Sequence, residues 1–161
     1  MKTSLPVIAL ALVVWTGCHS PAPSAESVQP TAAVVDTTAI QQAVRASFDA
    51  STDGWNKGDI VAYMGSYEQS DSLRTVDGDR AYFGWQRGVD SWLASDPNGE
   101  QMGTAYTDEA TVEVLGAESA LLYNRWHIVH EGDTMTGAST MVFRKQAPGW
   151  RIVHSHTSYG S

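Results

Sequence analysis

The chain has little of several features that mark common classes of protein. Its one cysteine, Cys18, leaves no pair for a disulfide and no thiolate cluster for a metal. Its 10 lysines and arginines are outnumbered by 18 aspartates and glutamates, and they form no basic cluster, so nucleic acid is not expected as a partner. Neither an internal repeat nor a glycine-rich phosphate loop occurs. These features give no reason to expect a cofactor.

Long hydrophobic runs are also missing, apart from residues 5–15. That run is too short for a permanent transmembrane helix, which takes about 20 apolar residues. Lys2 precedes the run, and Thr16, Gly17 and Cys18 follow it, an order typical of a signal peptide. Residues 1–17 resemble a bacterial lipoprotein signal, with Cys18 as the lipidated residue. An ordinary secretory signal that is cut nearby is the alternative.

The resemblance to a lipoprotein signal implies a location for the mature protein. It would be held in the cell envelope by its lipid anchor alone, on the outer membrane or the periplasmic face of a Gram-negative source. Residues 18–36 are rich in Pro, Ala, Ser, Thr and Val and lack periodicity, which is typical of a flexible tether. Residues 37–161 are then the folded part, close to the commonest size for one domain.

Hydrophobic periodicity in the folded part predicts helices first and strands afterwards. The first helix is expected to have Thr37 or Thr38 as its N-cap and to stop at Gly58. Short turns separate the later strands, which favours antiparallel hairpins. The elements predicted after the first helix are a helix at 59–67, a strand at 73–76, a helix at 83–94 and strands at 102–115, 120–129, 135–145 and 150–157.

Two segments resemble a known superfamily. The sequence GWNKGDIVAYMGSYEQSDSL, residues 54–73, is similar to the opening of the nuclear transport factor 2-like superfamily, where a Trp-Asn-x-Gly-Asp turn joins two helices. The sequence GWRIVHSHTS, residues 149–158, resembles the last strand of the SnoaL-like branch and of the kinase association (hub) domain. The resemblance covers residues 40–158 in order and spacing, so residues 37–161 are identified as a SnoaL-like domain.

This resemblance implies an α+β fold, also described as cystatin-like. A curved, mainly antiparallel sheet would wrap around N-terminal helices as a cone, with a pocket between sheet and helices. Domains of this kind often dimerise through the sheet, so a homodimer is expected. The same cone hosts isomerases, dehydratases, cyclases, hydrolases and binding domains, and the fold alone does not choose among them.

The histidines of the last predicted strand are the first candidates for a functional site. His154 and His156 are two residues apart, so they share one face of a strand, and the same parity predicts Trp150 and Ile152 on that face. We expect this face to line the pocket, where the imidazoles would contact a ligand or act as acid and base. Hydrogen bonding within the core is the alternative. A third ligand for a metal is missing, so no metal is expected.

Arg125 is a second candidate, because an arginine in the middle of a strand must reach solvent, form an ion pair or meet an anionic ligand. In the hub domain an arginine at what looks like the matching position lines the cavity, so the resemblance implies a ligand contact. The alternative is a solvent-facing side chain that pairs with an acidic neighbour such as Glu113.

Asp77 and Asp79 are candidates for a general base. Ketosteroid isomerases of the superfamily carry their base near the end of the first strand, and these two aspartates lie close to that place. The alternative is that Asp-Gly-Asp simply forms a turn. Three aromatic residues, Tyr67, Trp85 and Trp126, are candidates for the wall of an apolar pocket, with core packing as the alternative.

Together these features predict a lipid-anchored domain that binds a small molecule in its cone. The first alternative is a cofactor-independent isomerase or hydrolase that uses His154 or His156 with Asp77 or Asp79. The second alternative is a dimeric scaffold or interaction domain.

Overall fold

Three helices and six strands make up residues 35–160, the part of the chain that the computed structural model describes. The elements are α1 (Thr37–Asn56), α2 (Ile60–Met64), β1 (Arg74–Asp77), β2 (Arg80–Phe83), α3 (Trp85–Ser95), β3 (Thr104–Gly116), β4 (Ser119–His130), β5 (Asp133–Gln146) and β6 (Gly149–Tyr159). The predicted signal peptide, Cys18 and all but the end of the predicted tether lie outside the described residues. Within those residues, no helix combines the length and the apolar character that crossing a membrane would take.

Aspartates cap the first two helices. Asp36 accepts a hydrogen bond from the backbone N–H of Ala39 at 3.0 Å and is the N-cap of α1, so the predicted threonine caps are wrong. An aspartate carboxylate satisfies the same free N–H groups as a threonine hydroxyl, and it lies one residue earlier in the chain. Asp59 caps α2 in the same way, through the N–H of Ala62 at 2.8 Å, as its position before an apolar run predicts.

The six strands form one sheet in the order β2-β1-β6-β5-β4-β3. All neighbours are antiparallel except β1 and β6, which run parallel. The four long strands, β3 to β6, follow the predicted hairpins closely. Only β2 has no counterpart among the predicted elements, because its four mostly exposed residues show no clear alternation.

The helices cover one face of the sheet, which we call the inner face; the opposite face is the outer face. Helix α1 contacts β3, β4 and β6, and α2 contacts α1 and α3. The core lies between the helices and the inner face, so the predicted α+β fold with a curved, mainly antiparallel sheet and N-terminal helices is confirmed. The buried core includes Val44, Phe48, Ile60 and Met64 from the helices and Leu122, Met141, Phe143, Trp150 and Ile152 from the sheet.

A β-bulge at Val153 interrupts the alternation of β6. Ile152 pairs with Phe143 and His154 pairs with Val142, so two steps along β6 match one step along β5, and Val153 is the extra residue. Such a residue shifts the side-chain parity of the rest of the strand. The prediction that His154 shares a face with Trp150 and Ile152 is therefore wrong.

Candidate functional site

The two histidines of β6 lie on the outer face. His156 is exposed and pairs with Thr140, and the half-buried His154 places its Nδ1 3.1 Å from the backbone oxygen of Arg74. They share one face, as their spacing predicts, but that face points away from the helices. The structure therefore does not bring the histidines into the cone, and their predicted contact with a ligand there has no geometric support.

Arg125 also lies on the outer face and is exposed. Its cross-strand neighbour is Glu109, whereas Glu113 lies opposite Leu121. The arginine thus reaches solvent beside an acidic neighbour, although Glu113 is not that neighbour. The cavity position implied by the hub domain is wrong for this chain.

Beside Arg125, a second β-bulge positions an imidazole–carboxylate pair on the outer face. The register of β3 shifts between Thr107 and Glu109, which leaves Asp108 free to approach His127. His127 Nε2 lies 2.9 Å from Asp108 Oδ2, and the imidazole stacks on Tyr106 at 4.6 Å between ring centroids. The hydrogen bond from His127 lowers the pKa of the Asp108 carboxyl. The pair lies on the outer face, with Asp108 exposed and His127 half-buried, and is not part of the interior.

The inner face carries a polar row that crosses four strands. Asn124 on β4 pairs with Ser139 on β5, Ser139 pairs with Thr157 on β6, and Thr157 pairs with Asp77 on β1. We call these four residues the polar row. The hydroxyls of Ser139 and Thr157 lie 3.0 Å apart. Since paired residues point to the same side of a sheet, the row lies under the helices, next to the apolar residues Leu122 and Met141.

Asp77 occupies one end of the polar row and contacts an aromatic pair. The hydroxyl of Tyr159 donates a hydrogen bond to Asp77 Oδ1 at 2.6 Å, and the Tyr159 ring packs edge-to-face on Trp126 at 5.6 Å. Burial and the hydrogen bond to the carboxylate raise the pKa of Tyr159 to about 12. Of the two predicted aspartates, the structure brings Asp77 to the inner face, while Asp79 is an exposed residue of the β1–β2 turn.

Helix α2 and the residues after it add two phenols to this region. The hydroxyls of Tyr63 and Tyr67 lie 3.1 Å apart, and Ser155 lies beside the hydroxyl of Tyr67. Burial raises the pKa of both phenols; the neighbouring Tyr67 raises that of Tyr63 further, whereas hydrogen bonds with Tyr63 and Ser155 offset part of the rise for Tyr67. Both phenols therefore stay protonated at neutral pH and can donate hydrogen bonds. Tyr67 lies on the same side of the sheet as the helices, which its predicted place in the pocket wall requires.

Two atoms on the inner face are buried without a hydrogen-bond partner among residues 35–160. They are the side-chain oxygen of Asn124 and the indole Nε1 of Trp126, which are two residues apart on β4. The indole ring lies across Gly137, because a Cβ at that position would collide with ring atoms of Trp126 and with the backbone oxygen of Ser158. The glycine thus allows the indole to lie flat against the neighbouring strand.

The remaining tryptophans have structural partners. Trp85 donates its indole N–H to the backbone oxygen of Met64 at 2.7 Å, and Trp55 donates to the backbone oxygen of Met102 at 2.9 Å. Trp92 packs edge-to-face on Trp55 at 5.4 Å. Trp85 therefore ties α3 to the end of α2, and core packing accounts for its position.

Two surface grooves lie away from the polar row. The first groove runs between α1 and β3 and is lined by Gln41, Arg45, Asp49 and Val112. The second groove lies between the β5–β6 turn and the segment after α2 and is lined by Glu68, Ser70, Gln146 and Arg151. Partial burial raises the pKa of Glu68, but hydrogen bonds from Gln146, Ser72 and Ser70 lower it by more, so the pKa lies below its usual value. Its carboxylate already accepts hydrogen bonds from side chains of the protein.

Across residues 35–160, no group of three histidine, cysteine or acidic side chains could hold a metal.

Residues 44–160 match the family model of the SnoaL-like domain. The chain belongs to this family. Solved structures share the fold. An NTF-2 like protein from Shewanella oneidensis is 25% identical with a TM-score of 0.69, over 73% of this chain and 97% of that one. No curated protein matches.

Two further structures have the SnoaL-like domain's fold at lower identity. A cystatin-like domain from Nostoc punctiforme is 17% identical with a TM-score of 0.65, over 78% of this chain and 80% of that one. A protein described as a dehydratase of the NTF2-like family from Streptomyces avermitilis is 16% identical with a TM-score of 0.65, over 77% of this chain and 98% of that one.

Sequence reasoning missed three members of the polar row in this SnoaL-like domain. A signal for Asn124 was present, because it lies between Leu122 and Trp126 in the alternation of β4 and must therefore be buried. Ser139 and Thr157 gave no such signal, since small hydroxyl residues are common on both faces of a strand. Their grouping depends on strand register, which the sequence does not specify.

Proposed function

We propose that this SnoaL-like domain binds a small, mainly apolar molecule between its helices and the inner face, with the polar row holding the ligand's polar end. The ligand is a small molecule, as the sequence predicts, but it contacts the polar row in place of the histidines. Among the predicted contact residues, Tyr67 and Trp126 border the proposed site.

One observation carries this proposal: four polar side chains form a continuous row on a face that otherwise packs the core. Buried polar side chains weaken folding unless they are hydrogen-bonded, and here only Ser139 with Thr157 and Asp77 with Tyr159 are joined by side-chain bonds. Small-ligand sites combine apolar walls with a few polar groups that fix orientation. The polar row, bordered by Tyr67 and Trp126, has this composition.

Tyr159 is the side chain that would move when a ligand enters. It is 53% exposed, it ends the last strand, and it covers both Asp77 and Trp126. Its displacement would uncover the end of the polar row without disturbing the buried core. The surface grooves lack this combination of aromatic and polar groups.

An isomerase or dehydratase is the second candidate function, and Asp77 favours it. Its carboxylate lies on the inner face and accepts a hydrogen bond from Tyr159, and its charge also raises the pKa of the Tyr63 and Tyr67 phenols. A carboxylate would remove a proton, and a protonated phenol would stabilise charge on a carbonyl oxygen. The neighbour described as a dehydratase is consistent with this candidate. This candidate uses Asp77 without the predicted His154 or His156, because those two histidines lie on the outer face.

The ligand site is tested with 2-naphthol, an apolar bicycle with one hydroxyl, and two matched variants. Thr157→Val removes a hydroxyl from the polar row, and Thr140→Val makes the same change on the outer face of β5. Binding is measured by saturation-transfer NMR and calorimetry. Thr157→Val should weaken binding about fivefold, since one neutral hydrogen bond contributes about 1 kcal/mol, and Thr140→Val should leave it unchanged. No binding, or equal binding by both variants, would refute the site.

The cell-envelope location stays part of the proposal. A lipid on Cys18 would hold the domain at a membrane surface, and the short apolar segment before it supports this. Mass spectrometry of the mature protein should find diacylglycerol on Cys18 and none in Cys18→Ser. An unmodified N-terminus elsewhere would contradict it.

We also propose that the outer face pairs with a second copy of the chain. Its carboxylates Asp108, Glu109 and Glu113 lie on β3, with Arg125 of β4 opposite Glu109, and the other edge carries the basic residues Arg74, His154 and His156 on β1 and β6. A two-fold axis through the middle strands would place each acidic edge over the partner's basic edge.

A further inference from the structure

The two unpartnered atoms of β4 indicate which chemical group the site recognises. Asn124 is 3% exposed and Trp126 is 8% exposed, yet the amide oxygen and the indole N–H have no hydrogen-bond partner in the described part of the chain. Buried polar side chains nearly always have a partner. Two exceptions on adjacent inner-face positions of one strand are therefore a specific feature of this site.

The two groups are complementary in chemistry and occupy neighbouring inner-face positions of one strand. The indole Nε1 only donates, whereas the Asn124 amide offers an acceptor and a donor. Alternate residues of a strand lie about 7 Å apart and point to the same face, so one ligand group on that face can contact both. A single group with one acceptor and one donor side by side would satisfy both.

Both groups are uncharged, which favours a neutral ligand group over an ion. A buried ion needs an opposite charge or several strong hydrogen bonds to offset its loss of hydration. Asn124 and Trp126 supply neither. The charged side chains nearest in the sheet register, Asp77 and Arg80, lie at the far end of the same row.

We propose that Asn124 and Trp126 together recognise a neutral amide-like group, such as a lactam or a primary carboxamide, on the ligand. This inference rests on the ligand binding proposed above and adds the ligand's class. The carbonyl oxygen accepts from Trp126 Nε1, and the N–H donates to the Asn124 oxygen. Gly137 holds the indole in the orientation that this requires.

Three compounds of similar size test the recognition in the full-length protein. The lactam 2-quinolinone has both groups, 1-methyl-2-quinolinone lacks the N–H, and naphthalene lacks both. Calorimetry and ligand-observed NMR should give the order 2-quinolinone, 1-methyl-2-quinolinone, naphthalene, with about a tenfold loss of affinity at each step. Equal affinity for the three compounds would overturn the inference.

Two variants assign the contacts, with Tyr123→Phe on the outer face of β4 as their control. Asn124→Leu should remove the preference for 2-quinolinone over its methyl derivative, and Trp126→Phe should weaken both lactams by about tenfold. The control should keep the full preference. Asn124→Leu should also melt at the same temperature or higher, because an unpartnered buried oxygen has been removed. A lower melting temperature would mean that Asn124 has a structural partner and would overturn its role.

The outcome is distinguishable from that of the proposed function. Binding of 2-naphthol that depends on Thr157, without any preference for the lactam, would leave the site in place and refute the amide class. An absence of binding by 2-naphthol and by all three test compounds would refute the site itself.

Discussion

Gly137 shows how a residue without a side chain can determine the position of another. Trp126 lies across it from the neighbouring strand, and the indole then packs edge-to-face on Tyr159. Any larger residue would displace the indole and with it the edge-to-face contact with Tyr159. The position therefore links core packing to the proposed site.

We predict that Gly137→Ala destabilises the domain by about 2–3 kcal/mol, because the new Cβ would overlap both the indole and the backbone of β6. Urea unfolding followed by fluorescence measures this change. Gly116→Ala is the control, since its Cβ would approach only the Ser119 hydroxyl, at 3.4 Å, and should change stability by less than about 1 kcal/mol. Equal effects of the two substitutions would contradict this account.

Single residues of the site were only partly predictable. Tyr67, Trp126 and Asp77 are named by their chemistry and position in the sequence, and the structure places all three on the inner face. His154 and Arg125 are named by the same reasoning and lie outside it. The difference arises because residue type is visible in the sequence, whereas the face that a side chain occupies depends on pairing.

At the scale of elements, the sequence predicted the long strands and the helices because each buries a regular stripe of apolar residues. The exceptions are informative. The edge strand β2 is short and mostly exposed, so no periodicity identifies it. The bulge at Val153 depends on how β6 pairs with β5, and no residue in the strand signals it. Both are properties of the sheet as a whole.

The N-cap of α1 gives a test at this scale. Asp36→Ala should cost about 1 kcal/mol of unfolding free energy, because the N–H of Ala39 loses its acceptor. Thr37→Ala, one residue later and exposed, should cost much less. Chemical denaturation of both variants provides the comparison. A larger loss of unfolding free energy for Thr37→Ala would mean that the threonine is the N-cap.

At the scale of the whole molecule, the carboxylates of the sheet's outer face lie on β3, and Arg74 and two histidines lie at the opposite edge. The acidic side chains of β3 and the basic side chains of β6 and β1 are mostly exposed, and among the described residues the ion pairs are Arg45 with Asp49 and His127 with Asp108. The carboxylates of Glu109 and Glu113 and the guanidinium of Arg74 are therefore available to a second molecule. The inner face, by contrast, packs against the helices and carries the buried core.

The proposed dimer should be sensitive to salt, since exposed charges are screened within about 10 Å at 0.1 M ionic strength. Sedimentation velocity at micromolar concentration should show a dimer in 50 mM salt and a larger monomer fraction in 1 M salt. The double variant Glu109→Lys and Glu113→Lys should be monomeric in both. A wild-type monomer at low salt would exclude the outer face as an interface.

The bulge at Val153 also decides which side chains of this chain and its relatives are equivalent. Two sequences can align without a gap through His154 and His156 while only one of them has the extra residue in its last strand. The aligned histidines would then be on opposite sides of the two sheets, one exposed to solvent and one beneath the helices. Transfer of a role from one protein to another through this segment requires the strand pairing of both, because identity of the aligned letters does not establish equivalence of the side chains.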